Sequence, residues 1–124
     1  MKVLIVDDSN TMRRIVINAF NGAGYGDSEF LEAGDGLEAI AQVESNPDVG
    51  LITLDWNMPN MNGLEFLKKI REDFPKEKLP IIMVTTEAEK TNVITAIKHG
   101  ANNYLTKPFQ PAQLGEKVKA TLGG

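Results

Sequence analysis

Short apolar runs and helical patterns alternate along this chain. Runs of mainly apolar residues, many of them β-branched, occupy residues 3–6, 49–54 and 81–84. Such runs are typical of strands that are buried on both faces of a parallel sheet. More polar runs at residues 28–33 and 103–106 predict two further strands, the first of them near a sheet edge.

Between these runs, apolar residues recur every three or four positions, as on one face of a helix. The residues that mark the five predicted helices are Met12, Ile15, Val16, Ala19 and Phe20; Leu37, Ile40 and Val43, expected to face inward; Phe66, Leu67, Ile70 and Phe74; Val93, Ile94, Ala96 and Ile97; and Leu114, Val118 and Leu122.

Polar residues, glycines and a proline predict where these helices begin and end. Asp35 with Glu38, and Asn62 with Glu65, have the spacing of capping boxes. The other predicted limits are Ser9 or Asn10 at the start of the first helix, Gly22 or Gly24 at its end, Gly100 at the end of the fourth and Pro111 in the first turn of the fifth.

Five strands that alternate with five helices predict an α/β fold, with a parallel sheet covered on both faces. Strands 1, 3 and 4 are the most apolar and strand 2 the least, which favours the order 2-1-3-4-5. This is a flavodoxin-like, doubly wound (βα)5 fold, in which ligands bind beyond the carboxyl ends of neighbouring strands.

Composition narrows the class of protein. A chain of 124 residues with 42% apolar and 24% charged residues is predicted to form a single domain over residues 1–124. The net charge of −4 argues against nucleic acid as the main partner. Without cysteine, disulfides and thiolate metal sites are excluded. The first apolar run is too short for a signal peptide or a membrane span, so we expect a cytoplasmic protein without a membrane partner.

Charged and hydroxyl side chains follow the predicted strands. Asp7 and Asp8 follow strand 1, Asp55 follows strand 3, Thr85 follows strand 4 and Lys107 follows strand 5. Three converging carboxylates repel one another, and a hard divalent cation such as Mg²⁺ would relieve that repulsion. We therefore predict a Mg²⁺ site, with Mn²⁺ possible, to which the nearby Asn57 carbonyl could add a ligand. A metal, a lysine and an aspartate nucleophile together suit phosphoryl transfer.

The same residues form four separated motifs. They are Asp7-Asp8, the stretch from Asp55 to Gly63, Thr85 and Lys107-Pro108-Phe109. In this order they resemble the receiver domains of two-component response regulators over the whole chain, and chemotaxis regulators most of all. Receiver domains have the strand order given above, so that order is not an independent deduction.

The resemblance assigns a role to each site residue. It implies that Asp55 is the phosphoacceptor, that Asp8 binds Mg²⁺ directly and that Asp7 binds it mainly through water. The Asn57 carbonyl would be the third protein ligand. Lys107 and Thr85 would contact the phosphoryl group. Thr86 follows directly, so the sequence leaves the position of this threonine uncertain by one residue. The Lys107–Pro108 bond would be cis.

The resemblance also implies an output surface and partners. Tyr104 would be an aromatic switch in the face formed by the fourth helix, the fifth strand and the fifth helix. That face would carry Ala88, Lys90, Val93, Ile97, Tyr104, Thr106 and Lys117. The expected partners are a sensor histidine kinase and a flagellar motor switch protein or phosphatase, acting on a monomer. The chain ends after its last helix, so we expect a stand-alone regulator with no enzymatic activity beyond its own phosphorylation and dephosphorylation.

Other interpretations remain open from the sequence. Within the family, the chain could be a phosphorelay intermediate or a receiver excised from a larger regulator. A flavodoxin-like cofactor binder would need a Ser, Thr or Gly phosphate loop where Asp7 and Asp8 stand. A phosphatase of the haloacid dehalogenase type would need Asp-x-Asp, whereas Asn57 occupies the second position.

Overall fold

A computed structural model describes residues 1–123 of the chain. Within these residues the strands are β1 (Lys2–Val6), β2 (Glu29–Ala33), β3 (Leu51–Leu54), β4 (Ile81–Thr85) and β5 (Asn103–Thr106). The α-helices are α1 (Asn10–Phe20), α2 (Gly36–Ser45), α3 (Gly63–Ile70), α4 (Lys90–Lys98) and α5 (Pro111–Leu122). The strands form one parallel sheet in the order β2-β1-β3-β4-β5, which confirms the predicted fold.

Alternate residues of each central strand enter two separate cores. Leu4 and Val6 pack with α2, α3 and α4 on one face of the sheet, while Val3 and Ile5 pack with α1 and α5 on the other. Because side chains alternate along a strand, a continuous apolar run can supply both cores. The helices therefore cover both faces and leave the strand ends open. No helix of the described residues is long and apolar enough to cross a membrane.

The ends of the predicted elements shift by a few residues. Strand β3 begins at Leu51 rather than at residue 49, and Val49 is buried in the preceding turn. Helix α3 ends at Ile70, so Phe74 packs from the loop that follows and not from the helix. The first helix passes into a π-helical turn, Asn21–Tyr25, where Gly24 has a φ of 96°.

Five residues in the apolar helical patterns are exposed. Ile94 is 55% exposed, Leu37 54%, Ile15 46%, Ile97 43% and Leu122 39%. The expectation that Leu37 faces inward is wrong, because Gly36, Ala39 and Val43 form the buried side of α2. A periodic pattern shows which residues share a helix face, but the packing of the helix decides how much of that face is covered.

The helix starts follow the predicted capping chemistry in part. Ser9 caps α1, since its hydroxyl accepts a hydrogen bond from Met12 N at 3.1 Å. Asn62 and Glu65 form the complete capping box of α3. The Asp35 box is incomplete: Asp35 accepts from Glu38 N at 2.8 Å, but the Glu38 carboxylate accepts from Gly34 N.

Candidate active site and metal centre

Backbone pairing at the carboxyl end of the sheet brings the three predicted acids together. Asp7 N donates to the Ala33 carbonyl and Asp55 N donates to the Val6 carbonyl, each at 3.0 Å. One carboxylate oxygen from each of Asp7, Asp8 and Asp55 lies within 4.8 Å of the others. Asp7 and Asp55 are buried, whereas Asp8 is exposed. Parallel pairing therefore places acids that are far apart in the chain at one point.

Lys107 lies against two of these acids. Its Nζ is 2.6 Å from Asp7 Oδ2 and 3.6 Å from Asp55 Oδ2. The backbone N of Lys107 donates to the Thr85 carbonyl at 2.9 Å, which holds the ends of β4 and β5 together. The Lys107–Pro108 bond is cis, as the resemblance implied. The Lys107 ammonium thus lies between the carboxylates of Asp7 and Asp55 and contacts both.

The surroundings of Asp55 disfavour its negative charge. Burial raises the pKa of Asp55 above its ordinary value; the Thr85 hydroxyl and Lys107 act in the opposite direction, and the charge of Asp7 raises it again. Trp56 N donates to Asp55 Oδ1 at 2.7 Å, which also favours the charged form. The hydrogen bonds and the positive charge around Asp55 therefore do not fully offset the cost of burying its negative charge.

The donor set fits a hard divalent cation. Lys107 supplies one positive charge against the three negative charges of Asp7, Asp8 and Asp55. All candidate ligands are oxygens, which Mg²⁺ and Mn²⁺ prefer. Asn57 lines the same cavity and could add its carbonyl.

A cavity of about 580 Å³ opens over the acids. Its opposite wall is apolar and comes from the start of α1 and the segment after β5; this wall consists of Met12, Ile15, Pro108 and Phe109. The sequence reasoning placed Ile15 on the packed face of the first helix and so missed it here. The Ser9 cap was the available signal, since it fixes the first turn of α1 beside Asp7 and Asp8.

The two threonines after β4 have different positions. Thr85 is fully buried at the end of the strand, and Thr86 is exposed and lines the cavity. Because the Thr85 hydroxyl acts on the pKa of Asp55, Thr85 is the threonine next to the predicted phosphoacceptor. The structure thereby favours the register that the prediction used.

Glu87 connects Thr85 to Tyr104 through its backbone. Glu87 N donates to Thr85 Oγ1 at 3.2 Å, and the Tyr104 hydroxyl donates to the Glu87 carbonyl at 2.6 Å. Burial, followed by the charges of Glu87 and Asp55, raises the pKa of Tyr104 to about 12. The tyrosine is therefore joined to the acid site by two hydrogen bonds and one residue.

The predicted output residues lie on three adjoining elements, except Ala88, which lies in the loop before α4. Strand β5 is an edge strand, with α4 packed on one side and α5 on the other. Exposed positions are Ala88, Lys90, Ile97 and Thr106, and partly exposed ones are Val93, Tyr104 and Lys117. These residues thus border one edge of the molecule next to the acid site.

The fold and the acid cluster define a class of protein. Residues 3–119 match the family model described as the response regulator receiver domain, and the chain belongs to that family. It is thus a regulatory domain rather than a classical enzyme, which separates it from the phosphatase and cofactor-binding alternatives.

Chemotaxis proteins are among its relatives. The chain is 51% identical over 123 residues to chemotaxis protein CheY1 of Helicobacter pylori, covering 99% of this chain and 98% of that protein. It is 53% identical to a chemotaxis protein CheY homolog of Campylobacter jejuni, covering 99% and 93%. The chain is therefore a receiver domain of the CheY-like, chemotaxis response regulator type.

Solved structures show the same fold. A protein described as a probable two-component system response regulator/GGDEF domain protein superposes with a TM-score of 0.90 at 30% identity, and the match covers 99% of this chain but only 49% of that one. The chain thus spans about half of that longer protein. A CheX-CheY complex with BeF₃ and Mg²⁺ from Borrelia burgdorferi superposes with a TM-score of 0.88 at 28% identity, covering 97% of this chain and 87% of the other.

Proposed function

We propose that Asp55 accepts a phosphoryl group from the phosphohistidine of a sensor histidine kinase, and that residues 1–124 act as a single receiver domain in chemotaxis signalling. The observation that carries the proposal is the placement of Asp55 beside two further carboxylates and the Lys107 ammonium. A carboxylate nucleophile, a cationic side chain and a metal-binding donor set are the parts that phosphoryl transfer to aspartate requires.

Asp8, Asp7, Asp55 and the Asn57 carbonyl would hold Mg²⁺, or Mn²⁺. When bound, the ion supplies positive charge that neutralises the transferring phosphoryl oxygens. The CheX-CheY complex from Borrelia burgdorferi contains Mg²⁺, which supports this assignment for a similar protein.

Asp55, Lys107 and Thr85 would each have a separate role in the transfer step. An Asp55 oxygen attacks phosphorus, the bond from phosphorus to the donor nitrogen breaks, and the histidine leaves with the electron pair of that bond. Lys107, whose Nζ is 3.6 Å from Asp55 Oδ2, would bind a phosphoryl oxygen. The Thr85 hydroxyl would donate a hydrogen bond to another, as preorganised donors do around developing charge.

Phosphorylation would reach the output face through Glu87. If the Thr85 hydroxyl turns to the phosphoryl group, Glu87 N loses its acceptor, and the loop that holds the Tyr104 hydroxyl must adjust. One charge-assisted contact of about 1.4 kcal/mol shifts such a two-state equilibrium roughly tenfold. Tyr104 is the switch in this scheme, and it biases an existing equilibrium between two forms.

The switched face would bind a flagellar motor switch protein, or a phosphatase, in the cytoplasm. It would present Ala88, Lys90, Val93, Ile97, Tyr104, Thr106 and Lys117. The chemotaxis names of its relatives support this choice over a phosphorelay intermediate. Binding of the phosphorylated chain to a motor switch protein, compared with a histidine phosphotransfer domain, tests it; preference for the phosphotransfer domain would reverse the choice.

Intact mass after incubation with acetyl phosphate tests the phosphoacceptor. We expect one phosphoryl adduct that requires Mg²⁺ and is absent in Asp55→Asn. The matched control is Asp73→Asn, which removes an exposed carboxylate in the turn after α3 and should form the adduct normally. An adduct that persists in Asp55→Asn would overturn the assignment.

A further inference from the structure

The loop between β3 and α3 carries Asp55 and Asn57, and it is fixed at its base. Gly63 N donates to the Trp56 carbonyl at 2.8 Å. A Cβ on Gly63 would lie 2.1 Å from the Asp55 carbonyl oxygen, so only glycine allows this approach. The base therefore holds Asp55, while Met58 and Met61 further along the loop pack against the core.

The far end of this loop has a strained turn. Met61 N donates to the Pro59 carbonyl at 2.6 Å, which closes a three-residue turn around Asn60. Asn60 has a φ of 65°, the only positive φ outside glycine among the described residues. The positive-φ form of such a turn is rare and strained, so it persists only where neighbouring groups hold it.

Asp35 and Gly36, at the start of α2, hold that turn. Asp35 Oδ2 accepts a hydrogen bond from Asn60 Nδ2 at 2.7 Å, while its Oδ1 caps α2. Gly36 N donates to the Met61 carbonyl at 2.9 Å. Asp35 is 6% exposed although Asn60 itself is exposed. The start of α2 thus holds the turn around Asn60 by two hydrogen bonds, one from a side chain and one from the backbone.

We propose that Asp35 is a positioning residue for the metal site and acts through Asn60. The inference rests on the proposed function, because it takes the Asn57 carbonyl as a Mg²⁺ ligand. Asn57 lies three residues before Asn60 in the same loop, and of the two residues between them only Met58 is partly buried. The bond between Asp35 and Asn60 limits the conformations of that stretch, so the carbonyl is oriented before the ion binds. Partners that orient a ligand usually change metal affinity about 10–100-fold, and this one acts at greater distance.

The test measures Mg²⁺ affinity and metal-free stability on the same variants. The dissociation constant is followed by fluorescence of Trp56, the one tryptophan of the chain. Asn60→Gly keeps a residue suited to positive φ, removes the bond to Asp35 and leaves the net charge unchanged. Asp35→Ser removes that bond but keeps a good helix cap. We expect both variants to bind Mg²⁺ about three- to tenfold more weakly, below the range of a direct outer partner.

Two controls separate positioning from charge and from general stability. Asp35→Asn can cap α2 through its oxygen and, after rotation of the Asn60 amide, can pair with Asn60 again; we expect its dissociation constant to be within about twofold of the native value. Asp73→Ser removes one exposed carboxylate far from this loop and should behave in the same way. The metal-free unfolding midpoint of Asp35→Ser should fall only by the few degrees that the loss of one hydrogen bond costs.

The outcomes distinguish the positioning role of Asp35 from the proposed function. Weaker binding in Asn60→Gly and Asp35→Ser, with recovery in Asp35→Asn, supports the proposal. Unchanged affinity in Asn60→Gly overturns it, while the Mg²⁺ site itself stands if Asp8→Asn still weakens binding. Absence of Mg²⁺ binding by the native chain would overturn both.

Discussion

Arg71, the residue after α3, joins three segments of the chain by hydrogen bonds. Its guanidinium donates twice to the Gly100 carbonyl, at 3.0 and 2.8 Å, and once each to the carbonyls of Phe74 and Leu79, at 3.1 and 2.8 Å. A fifth bond of 3.0 Å reaches Asn102 Oδ1. Replacement by methionine keeps the apolar stem and removes all five bonds.

The cost of Arg71→Met follows from the acceptors that lose a partner. Four acceptors are involved, and Asn102 Oδ1 keeps a bond from Ile81 N at 2.9 Å. A hydrogen bond contributes about 0.5–1.5 kcal/mol net, and the three carbonyls are the main loss. Burial lowers the pKa of Arg71, because it disfavours the charged guanidinium, and this desolvation offsets part of the gain. We therefore expect a loss of about 2–3 kcal/mol in the free energy of unfolding.

Urea and thermal unfolding of metal-free protein measure this loss. For a domain of this size the midpoint should fall by about 6–15 °C, at roughly 3–5 °C per kcal/mol. The matched control is Lys68→Met, which removes a neighbouring exposed cation and should stay within about 0.5 kcal/mol of the native chain. If Arg71→Met is no less stable than Lys68→Met, the hydrogen bonds contribute no net stability and the reasoning is wrong.

Three further predictions concern the site. Asp55→Asn should raise the unfolding midpoint of the metal-free protein at pH 7, because burial raises the pKa of Asp55. The raised pKa favours folding below about pH 4, where the acid is protonated, and this stabilisation is lost as the pH rises. A gain in the midpoint that persists at pH 3 would therefore contradict burial of the charge as the cause. Burial raises the pKa of Tyr104 to about 12, so the folded state keeps the phenol proton to a higher pH than the unfolded state does. The free energy of unfolding should therefore fall between about pH 10 and 12. Alkaline unfolding of Tyr104→Phe should lack this part of the fall. Gly63→Ala should lower the free energy of unfolding by about 1–3 kcal/mol or more, since its Cβ would collide with the Asp55 carbonyl; an unchanged urea midpoint would count against that contact.

Some site features were readable from the sequence because they depend on short segments. Apolar runs ending in Asp7, Asp55 and Thr85 predicted strands whose polar residues meet at one sheet edge, and the structure brings those residues together. Parallel strands place their carboxyl ends on one side whatever the details of packing. The position of the acids therefore needed only the strands and their direction.

Other features required contacts between distant segments. The exposure of Ile15 and Leu37 depends on which neighbouring elements cover α1 and α2, and the helical pattern does not contain that information. The bond from Asn60 to Asp35 spans 25 positions and depends on the approach of α2 to the loop after β3. The periodicity of apolar residues within one segment does not predict which distant segments approach each other.

The sequence by itself determined the order of strands and helices, the acids at the strand ends and the resemblance to receiver domains. Only the tertiary structure decided that Lys107 lies 2.6 Å from Asp7 and bridges it to Asp55, that Thr85 is buried while Thr86 lines the cavity, and that Glu87 connects Thr85 to Tyr104. The physical reason is distance along the chain. Residue type and spacing specify local conformation, whereas the pairing of Asp7 with a lysine 100 positions away follows from the way the whole sheet is assembled.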